Sequence, residues 1–224
     1  AAGFDFTICE GDSVQIGGAP TGAPGTSISW MPSVNITSSS LGNPFVFPTT
    51  ITDYIVTVDN GSCLAKDTTT MFVNALPLVD AGLAQTICNA GTVTLGGSPT
   101  GPIGTTYSWT PSVTLNNVAL ANPFATLSAT TNYVVSVTDL NVCTSYDSIL
   151  ITVTSPVRPT FTVDSSICIG DLMPPLPNTS ANGVSGLWSP PFINNLVTTT
   201  YTFEPLLGEC ADTTALTITV NPLA

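Results

Sequence analysis

An all-β fold of three tandem immunoglobulin-like β-sandwich modules, each with one intramodule disulfide, is predicted by three observations. One segment recurs at a fixed offset, cysteines and tryptophans recur with it, and the intervening stretches are short apolar runs punctuated by Gly, Pro and Asn.

The repeat is read directly. IGGAPTGAPGTSISWMPS (16–33) aligns with LGGSPTGPIGTTYSWTPS (95–112), position 16 falling on position 95 without a gap. The same offset carries Trp30 onto Trp109, Asn43-Pro44-Phe45 onto Asn122-Pro123-Phe124 and Tyr54 onto Tyr133. A third, weaker copy follows, with Trp188 placed after Trp109 as Trp109 is after Trp30. The module boundaries expected from this register are 1–75, 76–155 and a shortened 156–224.

Cysteines follow the same register: Cys9 falls on Cys88 at the same offset, and Cys88 falls on Cys168 with a single position inserted. Each module therefore owns two cysteines and one tryptophan. Six cysteines allow 15 pairings, and equivalence of the modules selects Cys9–Cys63, Cys88–Cys143 and Cys168–Cys210, with buried free thiols as the alternative. On the chain-entropy model each such loop of about 40 to 55 residues contributes roughly 4 kcal/mol. An even, modular count belongs to an oxidising compartment, outside the cytoplasm.

Strands account for the local patterns. In the second copy TVTL (92–95), TTYSW (105–109), NYVVSV (132–137) and SILITV (148–153) alternate or run apolar with β-branched and aromatic residues. About seven such strands in about 75 residues make a two-sheet sandwich, and no helix of more than a turn or two is expected. Trp30, Trp109 and Trp188 hold one place in the repeat and read as core rings; a sugar-stacking surface is the competing role.

The stretch from Trp to Tyr runs from 30 to 54 and from 109 to 133 in the first two copies. In the third it shrinks to 188–201, and the Asn-Pro-Phe segment is missing. If that segment is a strand, the third sandwich has lost an edge and exposes another to strand addition by a neighbouring chain. A shortened loop is the simpler reading.

Charge narrows the function. Asp and Glu number 14 against 2 Lys plus Arg, Lys66 and Arg158, with no His and a net charge of −12. Nothing in this balance replaces the counterions around phosphates, so nucleic acid is not an expected partner. An anionic membrane repels such a chain. Mean hydropathy is +0.40, yet no stretch reaches the roughly 18 consecutive apolar residues of a spanning helix. No signal-peptide pattern opens the sequence, and both ends fall in register with module ends. The expectation is a piece of a longer array, or one subunit of a polymer.

The phrases QTICNAGTVTLGGSPTGPIGTTYSWTPS (85–112), ATTNYVVSVTDLNVC (129–143) and TTTYTFEPLLGECADTTALTITVNP (198–222) resemble the PKD-like and Ig-like repeats of large Bacteroidetes surface proteins. In that phylum such arrays resemble gliding-motility adhesins and other type IX secretion cargo. The acidic turn of PKD domains after the tryptophan is replaced by Met31-Pro32 and Thr110-Pro111. The resemblance implies a secreted or cell-surface glycoprotein. Its Asp-Ser/Thr-aliphatic/Thr O-glycosylation pattern falls on Ser13, Thr68, Ser148 and Thr213, although Asp-Ser/Thr also simply starts a strand.

Catalysis finds little support. No His supplies a base titrating near neutrality, the cysteines are assigned to disulfides, and no carboxylate pair converges as glycoside hydrolysis would require. No cofactor is implied. Calcium is the one ligand suited to the oxygen donors, with Asp80, Asp139, Asp147 and Asp164 placed to flank the junctions. Turn carboxylates equally cap backbone N–H groups. With Lys66 the one lysine, Lys–Asn isopeptide bonds are excluded from two modules.

The function expected is structural: a component of an extracellular filament or adhesin stalk, whose partners are other copies of itself or further modules of the array. A carbohydrate-binding module contacting surface polysaccharide, or an accessory spacer of a secreted hydrolase, are the alternatives.

Overall fold

The computed structural model describes residues 1–222 and contains sixteen strands and no helix among them. The first unit comprises β1 (Phe6–Cys9), β2 (Val14–Gln15), β3 (Ser27–Met31), β4 (Phe45–Val46), β5 (Thr52–Asp59) and β6 (Leu64–Asn74). The second repeats it with β7 (Gln85–Cys88), β8 (Gly91–Thr94), β9 (Thr106–Thr110), β10 (Phe124–Leu127), β11 (Thr131–Thr138) and β12 (Thr144–Thr154). The third has four strands, β13 (Ser166–Cys168), β14 (Gly186–Ser189), β15 (Thr199–Pro205) and β16 (Thr214–Asn221).

Four-stranded sheets run in the order β1-β6-β5-β3, β7-β12-β11-β9 and β13-β16-β15-β14. In the first two units a two-stranded sheet, β2-β4 or β10-β8, covers the inner face. Alternation along β11 shows why: Tyr133, Val135 and Val137 point inward and are fully buried, while their neighbours stay partly exposed. These residues pack with Val93, Leu95, Ala125 and Leu127 from the opposing sheet, as Trp30, Tyr54, Val56 and Met71 pack with Ile16 and Val46. The predicted all-β sandwich is what the chain forms.

The topology also fixes where the cysteines lie. The first strand of each unit sits at a sheet edge, parallel to the last strand and level with its final residues. Cys9 is opposite Asn74, Cys88 opposite Thr154 and Cys168 opposite Asn221. We call the end of a unit where its last strand finishes the trailing pole, and the end where that strand starts the leading pole.

The conspicuous LGGSPTG and Asn-Pro-Phe motifs turn out to be a buttress between loops. Asn122 Nδ2 donates to the carbonyls of Leu95 and Gly97, each at 3.1 Å, and the buried Thr100 hydroxyl donates to Ala121 O at 2.9 Å. Asn43 and Thr21 do the same in the first unit. Gly96 (φ 92°) passes so close to this network that a Cβ would sit 2.6 Å from Ala121 O.

In the third unit the Asn-Pro-Phe segment is gone, and so is a second sheet among the described residues. β4 and β10 carry that segment elsewhere, so its loss is the loss of a strand. Two devices compensate. The preceding loop covers the indole, Trp188 Nε1 donating to Pro177 O at 2.9 Å, where Trp30 and Trp109 donate forward to Leu41 and Leu120. Phe161, Trp188 and Phe203 pack with ring centroids 4.7 to 5.2 Å apart, each pair adding about 0.5–1.5 kcal/mol beyond its burial. Where the last residues of β2 and β8, Gln15 and Thr94, stand in the other units, the third has Pro174, followed by Pro175, and neither has the N–H group an incoming strand needs. Strand addition at that edge is therefore disfavoured.

Candidate functional site at the module junctions

The structure corrects the expected disulfide pairing. Cystines join Cys9 to Cys143 and Cys88 to Cys210, with Cα atoms 5.6 and 5.3 Å apart, and Cys63 and Cys168 are free and exposed. Each bond crosses from one unit to the next. The reason is strand polarity. Within a unit the first cysteine sits at the trailing pole, whereas the second ends the hairpin before the last strand, at the leading pole. β6 and β12 are 11 residues long, which at about 3.3 Å per residue separates the poles by roughly 36 Å. A cystine needs Cα atoms within about 7 Å. Cys9–Cys63, Cys88–Cys143 and Cys168–Cys210 are out of reach.

Between units the same polarity brings partners together: the trailing pole of one meets the leading pole of the next. At the first junction the hairpin tip Asn141-Val142 lines a cleft formed by Phe6, Thr7, Ile8, Cys9, Asp12, Val14 and Asn74. The hairpin is held by Asp139, whose Oδ1 accepts from the N–H groups of Asn141 and Cys143, both at 2.9 Å. Val142 is in the left-handed region at φ 66°, a conformation that costs a β-branched residue about 1–3 kcal/mol. On the receiving side Asp12 closes a turn, its N–H donating to Cys9 O at 3.0 Å. At the second junction Thr154 places its hydroxyl 3.3 Å from the Cys210 sulfur, and Val157 N–H donates to Cys210 O at 2.9 Å.

Carboxylates named from sequence serve the backbone. Asp147 Oδ2 accepts from Ala81 N–H at 2.8 Å and its Oδ1 from Ser148 N–H at 2.8 Å; Asp67 does the same for Ala2 and Thr68 at 2.7 and 2.9 Å. These paired bonds, Ala2 first, hold the Asp67 carboxyl below its ordinary value. They clip the segment ahead of the first strand to the last strand, a role invisible in sequence, although Asp67 and Asp147 matching in the repeat is a signal. Asp80 Oδ1 accepts from Gly82 N–H at 2.8 Å, and Asp164 lies in the third unit, beside Cys168. The four residues expected to flank calcium are not brought together, and no group of three or more His, Cys, Asp or Glu side chains converges among the described residues.

Ser13, Thr68, Ser148 and Thr213 are all exposed; Thr68 lies on β6 and Ser148 on β12, while Ser13 and Thr213 precede β2 and β16. Trp30, Trp109 and Trp188 are 1, 1 and 6% exposed, which leaves no ring face for a sugar. Among the described residues no helix is long and apolar enough to cross a membrane.

No family model matches the chain, and no curated protein does. Among solved structures it is similar to tandem Ig domains. An E-to-A mutated variant of titin domains I67–I69 is 12% identical over 99% of this chain and 96% of that one, with a TM-score of 0.37. Extracellular domains 3–5 of Drosophila OTK are 11% identical over 67% of this chain, which spans 59% of that fragment, with a TM-score of 0.35. DIP-gamma IG1+IG2 is 10% identical over 67% of this chain and 93% of that one, at 0.28. Likenesses of this size concern architecture and carry nothing about activity or partners.

Proposed function

We infer that this chain is a tension-resisting segment of an extracellular filament or adhesin stalk, made of units 1–75, 76–155 and 156–224. The observation that supports the reading is the stagger of the cystines. A bond inside a unit would protect that unit alone, whereas Cys9–Cys143 and Cys88–Cys210 tie neighbours together at their touching poles. The sequence resemblance to Bacteroidetes surface repeats and type IX secretion cargo supports a place outside the cell, where cystines persist. Glycans on the exposed Ser13, Thr68, Ser148 and Thr213 would shield a surface with few charges.

Pulling the chain by its ends tests the reading. Under oxidising conditions the force crosses from Cys9 to Cys143, runs back along the chain to Cys88, crosses to Cys210 and continues to the C-terminus, so extension stops near about 80 residues, or about 290 Å. After reduction the whole chain extends to about 800 Å. Full extension without reductant would remove the mechanical role. A pull-down on insoluble polysaccharides complements it: a stalk binds none, and retention by one polymer would favour the carbohydrate-binding alternative.

A further inference from the structure

We propose that Cys168 of one copy and Cys63 of the next form a third cystine of the same stagger, joining copies head to tail into a covalent polymer. The proposal deepens the stalk reading and rests on it, since it names a second copy of this chain as the partner.

In both observed cystines the first cysteine of one unit bonds the second cysteine of the following unit. Applied once more, that rule leaves a first-type cysteine on the third unit and a second-type cysteine on the first unit. Those are the two free thiols, Cys168 and Cys63, both exposed. They lie at opposite extremes of the three-unit series and cannot meet within one copy.

Each thiol is set in the surroundings of its bonded counterpart. Cys168-Ile169-Gly170-Asp171 reproduces the Cys9-Glu10-Gly11-Asp12 turn: Asp171 N–H donates to Cys168 O at 3.1 Å as Asp12 does to Cys9 O at 3.0 Å. Gly170 and Gly11 are both left-handed, at φ 85° and 91°. On the other side, Asn60 Oδ1 accepts from the N–H groups of Ser62 and Cys63 at 3.0 and 2.8 Å, the service Asp139 performs for Cys143.

An independent observation concerns the receptor. The cleft beside Cys9 holds the tip of the next unit's hairpin. The third unit carries the matching cleft, lined by Ser166, Ile167, Cys168, Asp171, Met173 and Asn221, with no hairpin of the described residues in it. In chain order these six stand where Thr7, Ile8, Cys9, Asp12, Val14 and Asn74 stand in the first unit. The hairpin of a second copy, Asp59 to Cys63, fits the role that Asp139 to Cys143 plays inside the chain.

The bond forms by thiol–disulfide exchange with a disulfide donor, such as oxidised glutathione or an oxidoreductase. The Cys168 thiolate attacks the donor and expels one donor thiolate. The Cys63 thiolate then attacks the mixed disulfide at the Cys168 sulfur and expels the second. Two protein thiols are oxidised, one donor disulfide is reduced to two thiols, and the two thiol protons pass to the expelled thiolates.

The test uses the full chain in a glutathione redox buffer. The unaltered chain is expected to give a ladder on non-reducing gels that dithiothreitol collapses to monomer. Cys63→Ser and Cys168→Ser are each expected to abolish the ladder. Mixed together, they are expected to give one heterodimer whose cross-linked peptide joins Cys63 to Cys168, exceeding either symmetric dimer by at least about tenfold because docking raises the effective concentration of that pair alone. Absence of any ladder, or symmetric Cys63–Cys63 and Cys168–Cys168 dimers in comparable yield, would overturn the proposal. The same map separates the two readings: intact Cys9–Cys143 and Cys88–Cys210 without a Cys63–Cys168 peptide would end the polymer and leave the stalk.

Discussion

Cys9 and Cys143 are joined across a sequence separation of 134 with their Cα atoms 5.6 Å apart, because the last strand of each unit carries its two cysteine positions to opposite poles. Junctions are thereby the most covalently constrained part of the array.

Removing the first lock lowers stability and uncouples the first two units. The Cys9→Ser/Cys143→Ser double variant is expected to lose about 2–5 kcal/mol, the usual cost of removing a native disulfide. Guanidinium titration is expected to split one coupled transition into separate steps.

Trp109→Ala costs about 3–5 kcal/mol, because the ring is 1% exposed at the centre of the second core. Trp109→Phe retains much of the volume but orphans the Leu120 carbonyl that now accepts from Nε1 at 3.0 Å, so an intermediate loss in urea midpoint is expected.

Gly96→Ala is destabilising by more than about 1 kcal/mol, since φ is 92° and the new methyl meets the Ala121 carbonyl. Gly25→Ala at φ 85° has open space around it, so it reports the backbone cost alone. The difference between the two melting shifts isolates the buttress.

Acid sensitivity resides partly in Asp67. Its folded pKa is lowered by the Ala2 and Thr68 N–H groups, so it binds a proton less readily folded than unfolded. The contribution is present above the ordinary carboxylate pKa of about 3.9 and is lost as pH falls through the folded value. Asp67→Asn cannot titrate, and its stability is expected to fall less than the parent's as thermal melts are taken from mildly to strongly acidic pH.

Much of the fold was legible because strand periodicity, the repeat offset and the buried indoles are local signals. TYSWT and NYVVSV fall in strands β9 and β11, and all three tryptophans are core. The disulfide pairing was not legible. Pairing within modules treats a module as a point, whereas the parallel edge strand gives it two poles, and nothing in TIC or QTIC announces that this strand runs alongside the last one. The cue that could have helped is the constant stretch from the second cysteine to the strand's end, at 63 to 74, 143 to 154 and 210 to 221. An extended segment of that length cannot bring its ends together. Asp80, Asp139, Asp147 and Asp164 looked like oxygen donors for a cation because sequence does not reveal which N–H groups a carboxylate meets; Asp80, Asp139 and Asp147 accept from backbone instead.

The staggered pairing is open to a disulfide map of the oxidised chain. Lys66 and Arg158 offer trypsin few sites, so pepsin at acid pH, which also halts thiol exchange, is the suitable protease. Cross-linked peptides joining Cys9 to Cys143 and Cys88 to Cys210 are predicted. Peptides joining Cys9 to Cys63, or Cys88 to Cys143, would refute it.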